Sequence, residues 1–91
     1  MATFIAVASF SPETDLPLMT AVIAEEVAQV RALTEEGCLK AVHVSPMRGR
    51  VFLEVVAENE DEARATVETL PMAHWWEIDV YPTMAPPDQQ D

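Results

Sequence analysis

An α+β fold, with one antiparallel sheet carrying helices on one face, is what this sequence predicts. Three observations carry that expectation. Stretches with strand-like alternation and stretches with helical spacing follow one another in the order β-α-β-β-α-β. Hydrophobic residues make up 49% of the chain, so it can bury a core rather than stay disordered. A length of 91 residues suits one small domain whose thin core gains from association. With right-handed crossovers, this order gives a ferredoxin-like sandwich. The domain is expected over residues 1–82, with a proline-containing arm or tail over 83–91.

The first strand is expected over Thr3 to Phe10, where Phe4, Ala6, Ala8 and Phe10 alternate with Ile5 and Val7. Neither set is polar, so both sides should be covered. Ser11-Pro12-Glu13-Thr14-Asp15 ends it with turn-forming residues. One helix should follow, from Leu16 or Leu18 to Glu36, with Met19, Val22, Ile23, Val27, Val30 and Leu33 forming an apolar stripe. Gly37 suits the position just past its end, because it takes a left-handed conformation without a Cβ clash.

Cys38 to Ser45 and Arg50 to Glu58 read as a hairpin turned by Pro46-Met47-Arg48-Gly49. In the expected register Lys40, Val42 and Val44 share the helix-facing side with Val51, Leu53 and Val55. His43 then lies on the other side with Phe52 and, diagonally, Glu54. Asn59 followed by Glu62 forms a capping-box-like start to the second helix. Ala63, Val67 and Leu70 give its buried stripe, and Pro71 stops it. Trp75 to Tyr81 is the last strand, with Trp76, Ile78 and Val80 toward the helices. Phe4, Phe10, Phe52, Trp75 and Tyr81 are candidates for an apolar outer sheet face. Two such faces packed together would form a dimeric α+β barrel.

The charge balance limits the partners. Sixteen acids against five bases give a net charge of −11. That argues against nucleic acid and against anionic membrane surfaces, since both require a basic footprint. Residues 1–10 lack the basic start and apolar length of a signal peptide or membrane span, and the lone Cys38 fits a reducing compartment. The expectation is a cytoplasmic protein. No phosphate-binding loop, dinucleotide fingerprint, zinc pattern or nucleophile elbow occurs in the sequence, so no cofactor or metal is expected.

Glu26 lies at the edge of the apolar stripe, four residues from Val22 and from Val30, while its neighbour Glu25 points away from it. A carboxyl there is partly desolvated, and a raised pKa suits a general acid/base. The plain alternative is a solvated surface carboxylate. Lys40, on the helix-facing side, is the candidate electrostatic partner. Arg48 on the hairpin is a candidate for holding a substrate carboxylate. Both are otherwise ordinary surface charges. His43 is either a substrate-facing base paired with Glu54 or a polar contact in a subunit interface. Trp76 either lines a pocket or packs in the core.

Glu25-Glu26, the Glu36-Gly37 helix end, the gap-free hairpin, Leu70-Pro71 and Glu77-Ile78-Asp79-Val80 stand in an order and spacing that resemble the muconolactone isomerase family. The resemblance is closest from Glu25 to Val80. It implies a ferredoxin-like protomer in a homo-oligomer built from dimers, and cofactor-free isomerisation of a small carboxylated lactone by proton transfer. It passes the catalytic carboxylate role to Glu26 and the basic role early in the second strand to Lys40. Where the family carries an aromatic and then a basic residue further along that strand, this chain has His43 and Val44. Arg48 and Arg50 stand near positions that carry His and neutral residues in the family. A relative acting on another small molecule is therefore the expectation, with Glu26 and Lys40 catalytic and His43, Arg48 and Trp76 binding substrate. Two rival readings of the same scaffold are a cofactor-free oxygenase or cyclase, and a non-catalytic oligomeric protein that binds small molecules.

Overall fold

The computed structural model describes residues 1–84. In it β1 (Ala2–Phe10) is followed by α1 (Leu16–Ala21), α2 (Ile23–Glu35), β2 (Leu39–Ser45), β3 (Arg50–Ala57), α3 (Glu60–Glu68) and β4 (Trp76–Pro82). The sheet order is β2-β3-β1-β4, and every neighbouring pair is antiparallel. This is the ferredoxin-like arrangement predicted from the order of periodicities. From residue 85 onward the expected C-terminal arm lies outside the described residues. At its start, the Thr83 hydroxyl donates to the Thr3 carbonyl at 2.7 Å.

The core lies between the sheet and the helices. Phe4, Ala6 and Ala8 of β1 stand opposite Val55, Leu53 and Val51 of β3, and all six are buried. Leu33 of α2 and Ala63 and Val67 of α3 close over them, with Leu70 just past α3. Phe4 and Phe10 therefore belong to the helix side, which corrects their expected place on the outer face. The outer face keeps Phe52 and Tyr81, which are 39% and 53% exposed. Ile5, Val7 and Val56 are only half-buried.

Local chemistry explains the helix ends. Asp15 accepts the Leu18 N–H at 3.1 Å, and Asn59 accepts the Glu62 N–H at 2.8 Å, so each side chain satisfies a free donor of a first turn. Gly37 sits at φ +80°, with Cys38 N–H bonded to the Leu33 carbonyl and Gly37 N–H to the Thr34 carbonyl. These are the paired bonds of a Schellman motif, and they need a residue tolerant of left-handed backbone.

Three departures from the predicted elements matter for the site. The expected single helix is two, broken at Val22, where φ −102° and ψ 9° leave the helical well. Thr20, Val22 and Ile23 are all β-branched and stiff at χ1, which weakens a helix locally. The second departure is a bulge in β2. Leu39 pairs with Val55 and Ala41 with Glu54, so Lys40 is the extra residue. Leu39, only 2% exposed, takes the core position on the helix side, and Lys40 is exposed. This corrects the expectation that Lys40 shares a face with Val42 and Val44. The third is a 3-10 turn over Pro71–Trp75 ahead of β4, where a strand was expected to begin at Trp75. Among the described residues no helix is long and apolar enough to cross a membrane.

Candidate active site

Past the break at Val22, the first turns of α2 stand partly clear of the sheet. Leu33, near the end of α2, is buried, but Ile23 and Val27, near its start, are 46% and 51% exposed. The apolar stripe of α2 is thus only partly covered. Between its first turns and the sheet lies a cavity of about 440 Å³, a size that accepts a small metabolite. Ile23, Glu26, Val27 and Val30 form the helix wall, joined by Met19 of α1. Val42 and Val44 of β2 and Val51 and Leu53 of β3 form the sheet wall. Phe10, Met72 and Trp76 complete the lining.

Glu26 is the single ionisable residue in this lining. Its carboxylate Oε1 accepts the Met72 N–H at 2.9 Å, a bond that joins α2 to the turn over Pro71–Trp75 across 46 residues of sequence. Burial lifts the pKa of Glu26 above its ordinary value, since apolar surroundings penalise the charged form; the Met72 bond opposes this but does not cancel it. One oxygen is held by the backbone, and the hydrogen bonds of the described residues leave the other free. Glu25, the adjacent residue, is exposed. The two acids differ in environment as their helical positions predict.

Trp76 lies at the start of β4, and its ring meets Phe10 edge-on with centroids 6.4 Å apart. Its indole Nε1–H is the one buried side-chain polar atom without a partner among the described residues. A buried donor left unsatisfied costs about 1–3 kcal/mol, so its presence in a cavity wall is a feature to be explained.

The structure brings Glu26 and Trp76 to one cavity. It does not bring Lys40 or His43 there. Lys40 is outside the lining, at the bulge. His43 pairs with Phe52 on the outer sheet face and is exposed, with Glu54 diagonal to it in the expected register. Arg48 is exposed on the 3-10 turn over Pro46–Arg48, within the hairpin that joins the lining residues Val44 and Val51. The cavity wall itself therefore carries no cation. No group of three or more potential metal-ligating side chains occurs among the described residues.

Sequence reasoning missed Phe10 and Met72. Phe10 could have been placed by parity, since it shares its side of β1 with the small residues Ala6 and Ala8. Met72 acts through its backbone N–H, for which no residue type is diagnostic. The one available signal was Pro71, which favours the first position of a helical turn.

Compared with known families, residues 5–89 match the family model described as muconolactone delta-isomerase. No curated protein matches the chain.

Proposed function

We propose a function from one premise: this chain belongs to the muconolactone delta-isomerase family. It is a cofactor-independent isomerase that shifts a proton within a small lactone-type or carboxylated metabolite, and Glu26 is the shuttle. The observation that carries this reading is the position of Glu26, a lone carboxyl on an apolar cavity wall with one oxygen pinned by Met72 N–H.

The chemistry follows from that placement. The Glu26 carboxylate takes a proton from a carbon next to the conjugated system. The C–H electron pair flows into that system as a dienolate, and the same carboxyl returns the proton at the vinylogous carbon. One C–H bond breaks and one forms, so substrate and product are isomers. As the proton moves, the negative charge passes from Glu26 to the substrate, and the net charge inside the apolar walls is unchanged. A raised proton affinity brings the base closer to its carbon acid. The pinned oxygen fixes the carboxyl plane, so the free oxygen serves both carbons with little reorganisation.

A substrate carboxylate would be costly to bury against valines and leucines without a cation. It therefore points out through the mouth, toward the hairpin that carries Arg48. In this reading Arg48 holds the substrate's charged end, while Lys40 and His43 do not touch it within one protomer. The half-open outer sheet face, with Phe52 and Tyr81, supports pairing with a second copy sheet to sheet. Sedimentation of a monomer at micromolar concentration would remove that part of the proposal.

The reading is tested by incubating muconolactone with the protein in D₂O and following both turnover and deuterium incorporation. Wild type should isomerise the lactone or exchange its acidic proton, and Glu26→Gln should do so at least about 10²-fold more slowly. Turnover by Glu26→Gln at the wild-type rate would remove Glu26 from the mechanism.

A further inference from the structure

Behind the turn over Pro71–Trp75 lies a second cavity of about 560 Å³, between α3 and β4. Its lining is unlike that of the first. Arg64, Thr69 and His74 bring polar groups to it, Glu68 adds a carboxylate, and Leu70 and Ile78 supply apolar wall. We propose that this cavity binds a small monocarboxylate, with Arg64 clamping the carboxylate.

Of the five basic residues, Arg31, Lys40, Arg48 and Arg50 are exposed, and Arg64 alone is partly buried. Its Nη1–H donates to the Ile78 carbonyl at 2.9 Å, which fixes the guanidinium against β4. That bond uses one of five donors and leaves the Nε–Nη2 edge whole. This edge has the spacing of a carboxylate's two oxygens, so it binds them as a parallel pair of charge-assisted bonds. Because the guanidinium is already held, little side-chain freedom remains to be lost on binding.

The neighbours define the ligand class. His74, whose ring stands edge-on to Trp75 at 5.1 Å and 89°, adds an imidazole to the same lining. Leu70 and Ile78 accept a short apolar body. Glu68 is exposed and lies one helical turn after Arg64; its negative charge opposes any anion, and Arg64, the one Arg or Lys in the lining, offsets a single ligand charge and leaves a second unmatched. A monoanion with a small aliphatic body therefore fits better than a dianion. This inference does not depend on the isomerase reading, because none of these polar residues lines the Glu26 cavity.

The test uses isovalerate as the probe, with its neutral isostere isovaleramide and the dianion succinate as comparisons, at constant ionic strength. Tryptophan fluorescence of the full chain reports binding, since Trp76 lines the cavity and Trp75 contacts His74. Isovalerate should give a saturable change, isovaleramide none, and succinate a weaker one that Glu68→Gln strengthens. Arg64→Lys keeps the charge but loses the fork, and should weaken isovalerate at least about tenfold. An equal response to isovaleramide would overturn the proposal without any variant. So would an unchanged isovalerate midpoint in Arg64→Lys, with circular dichroism confirming that the variant is folded.

Discussion

Replacing Glu26 by Gln separates what this residue does for the fold from what it does for chemistry. Gln keeps an oxygen where Glu26 Oε1 accepts the Met72 N–H. The bond changes from charge-assisted, worth about 1.5–3 kcal/mol, to neutral, worth about 0.5–1.5 kcal/mol, a loss of roughly 1 kcal/mol. Against this, the amide carries no charge to desolvate, and desolvation is the larger influence on Glu26. The two effects oppose each other, so stability at neutral pH should stay within about 1 kcal/mol of wild type. For a domain of this size that is a midpoint shift of no more than about 4–8 °C. Because the folded-state pKa is raised, Glu26 contributes its greatest stability below its unfolded pKa and loses it as pH rises through the folded value. Glu26→Gln should therefore compare better with wild type at pH 7 than at pH 4. Glu26→Leu, by contrast, leaves the Met72 N–H without an acceptor, a penalty of about 1–3 kcal/mol offset in part by the added apolar contact. Activity should respond differently, falling roughly 10²- to 10⁴-fold in Glu26→Gln, the usual span for a lost general base. The assays are urea denaturation at the two pH values and lactone isomerisation followed by absorbance. Turnover within about threefold of wild type would refute the shuttle role. A loss of more than about 3 kcal/mol in Glu26→Gln would show that the carboxylate is mainly structural, against the hydrogen-bond reasoning.

Other outcomes rest on the same geometry. Trp76→Phe removes the unpartnered buried N–H, a gain of about 1–3 kcal/mol, and gives up about 1–2 kcal/mol of apolar contact. Its denaturation midpoint should stay level or rise, while a change in KM would report the cavity wall. Arg48→Ala should raise KM about tenfold with kcat unchanged if this residue binds the substrate carboxylate only at the mouth; steady-state kinetics decide it. Leu53, 1% exposed beneath the cavity, should cost about 2–5 kcal/mol when cut to Ala, as read from urea midpoints. Gly37→Ala should destabilise by about 1–2 kcal/mol because the backbone there is left-handed, as a thermal melt would show.

The sequence was informative where local chemistry decides. The element order, the Asn59 cap, Gly37 at its helix end and the half-buried side of Glu26 all follow from periodicity and residue type. That Val42 and Val44 share the helix-facing side with Val51 and Leu53 was legible from alternation, and the structure pairs Val42 with Leu53 and Val44 with Val51. What escaped depends on tertiary balance. Placing Leu39 in the core requires a bulge, and the gain from burying that side chain outweighs keeping Lys40 in register. The break between α1 and α2 at Val22 reflects a modest local weakness that longer helices often tolerate. The bond that positions Glu26 comes from a backbone N–H, which every residue except proline could supply. The cavity wall has no cation because Val44 stands on it uncharged and the bulge takes Lys40 out of register with Val42 and Val44.

Trp76 is part of the wall of both cavities, and the turn before it carries the N–H that holds Glu26. This sharing restricts how the protein can diversify. A substitution at Trp76 alters the wall of both chambers together, so a change made for one is felt in the other. Val27, Val42 and Val44 line only the Glu26 cavity. New substrate preferences should arise at those valines, while Trp76 is constrained from both sides.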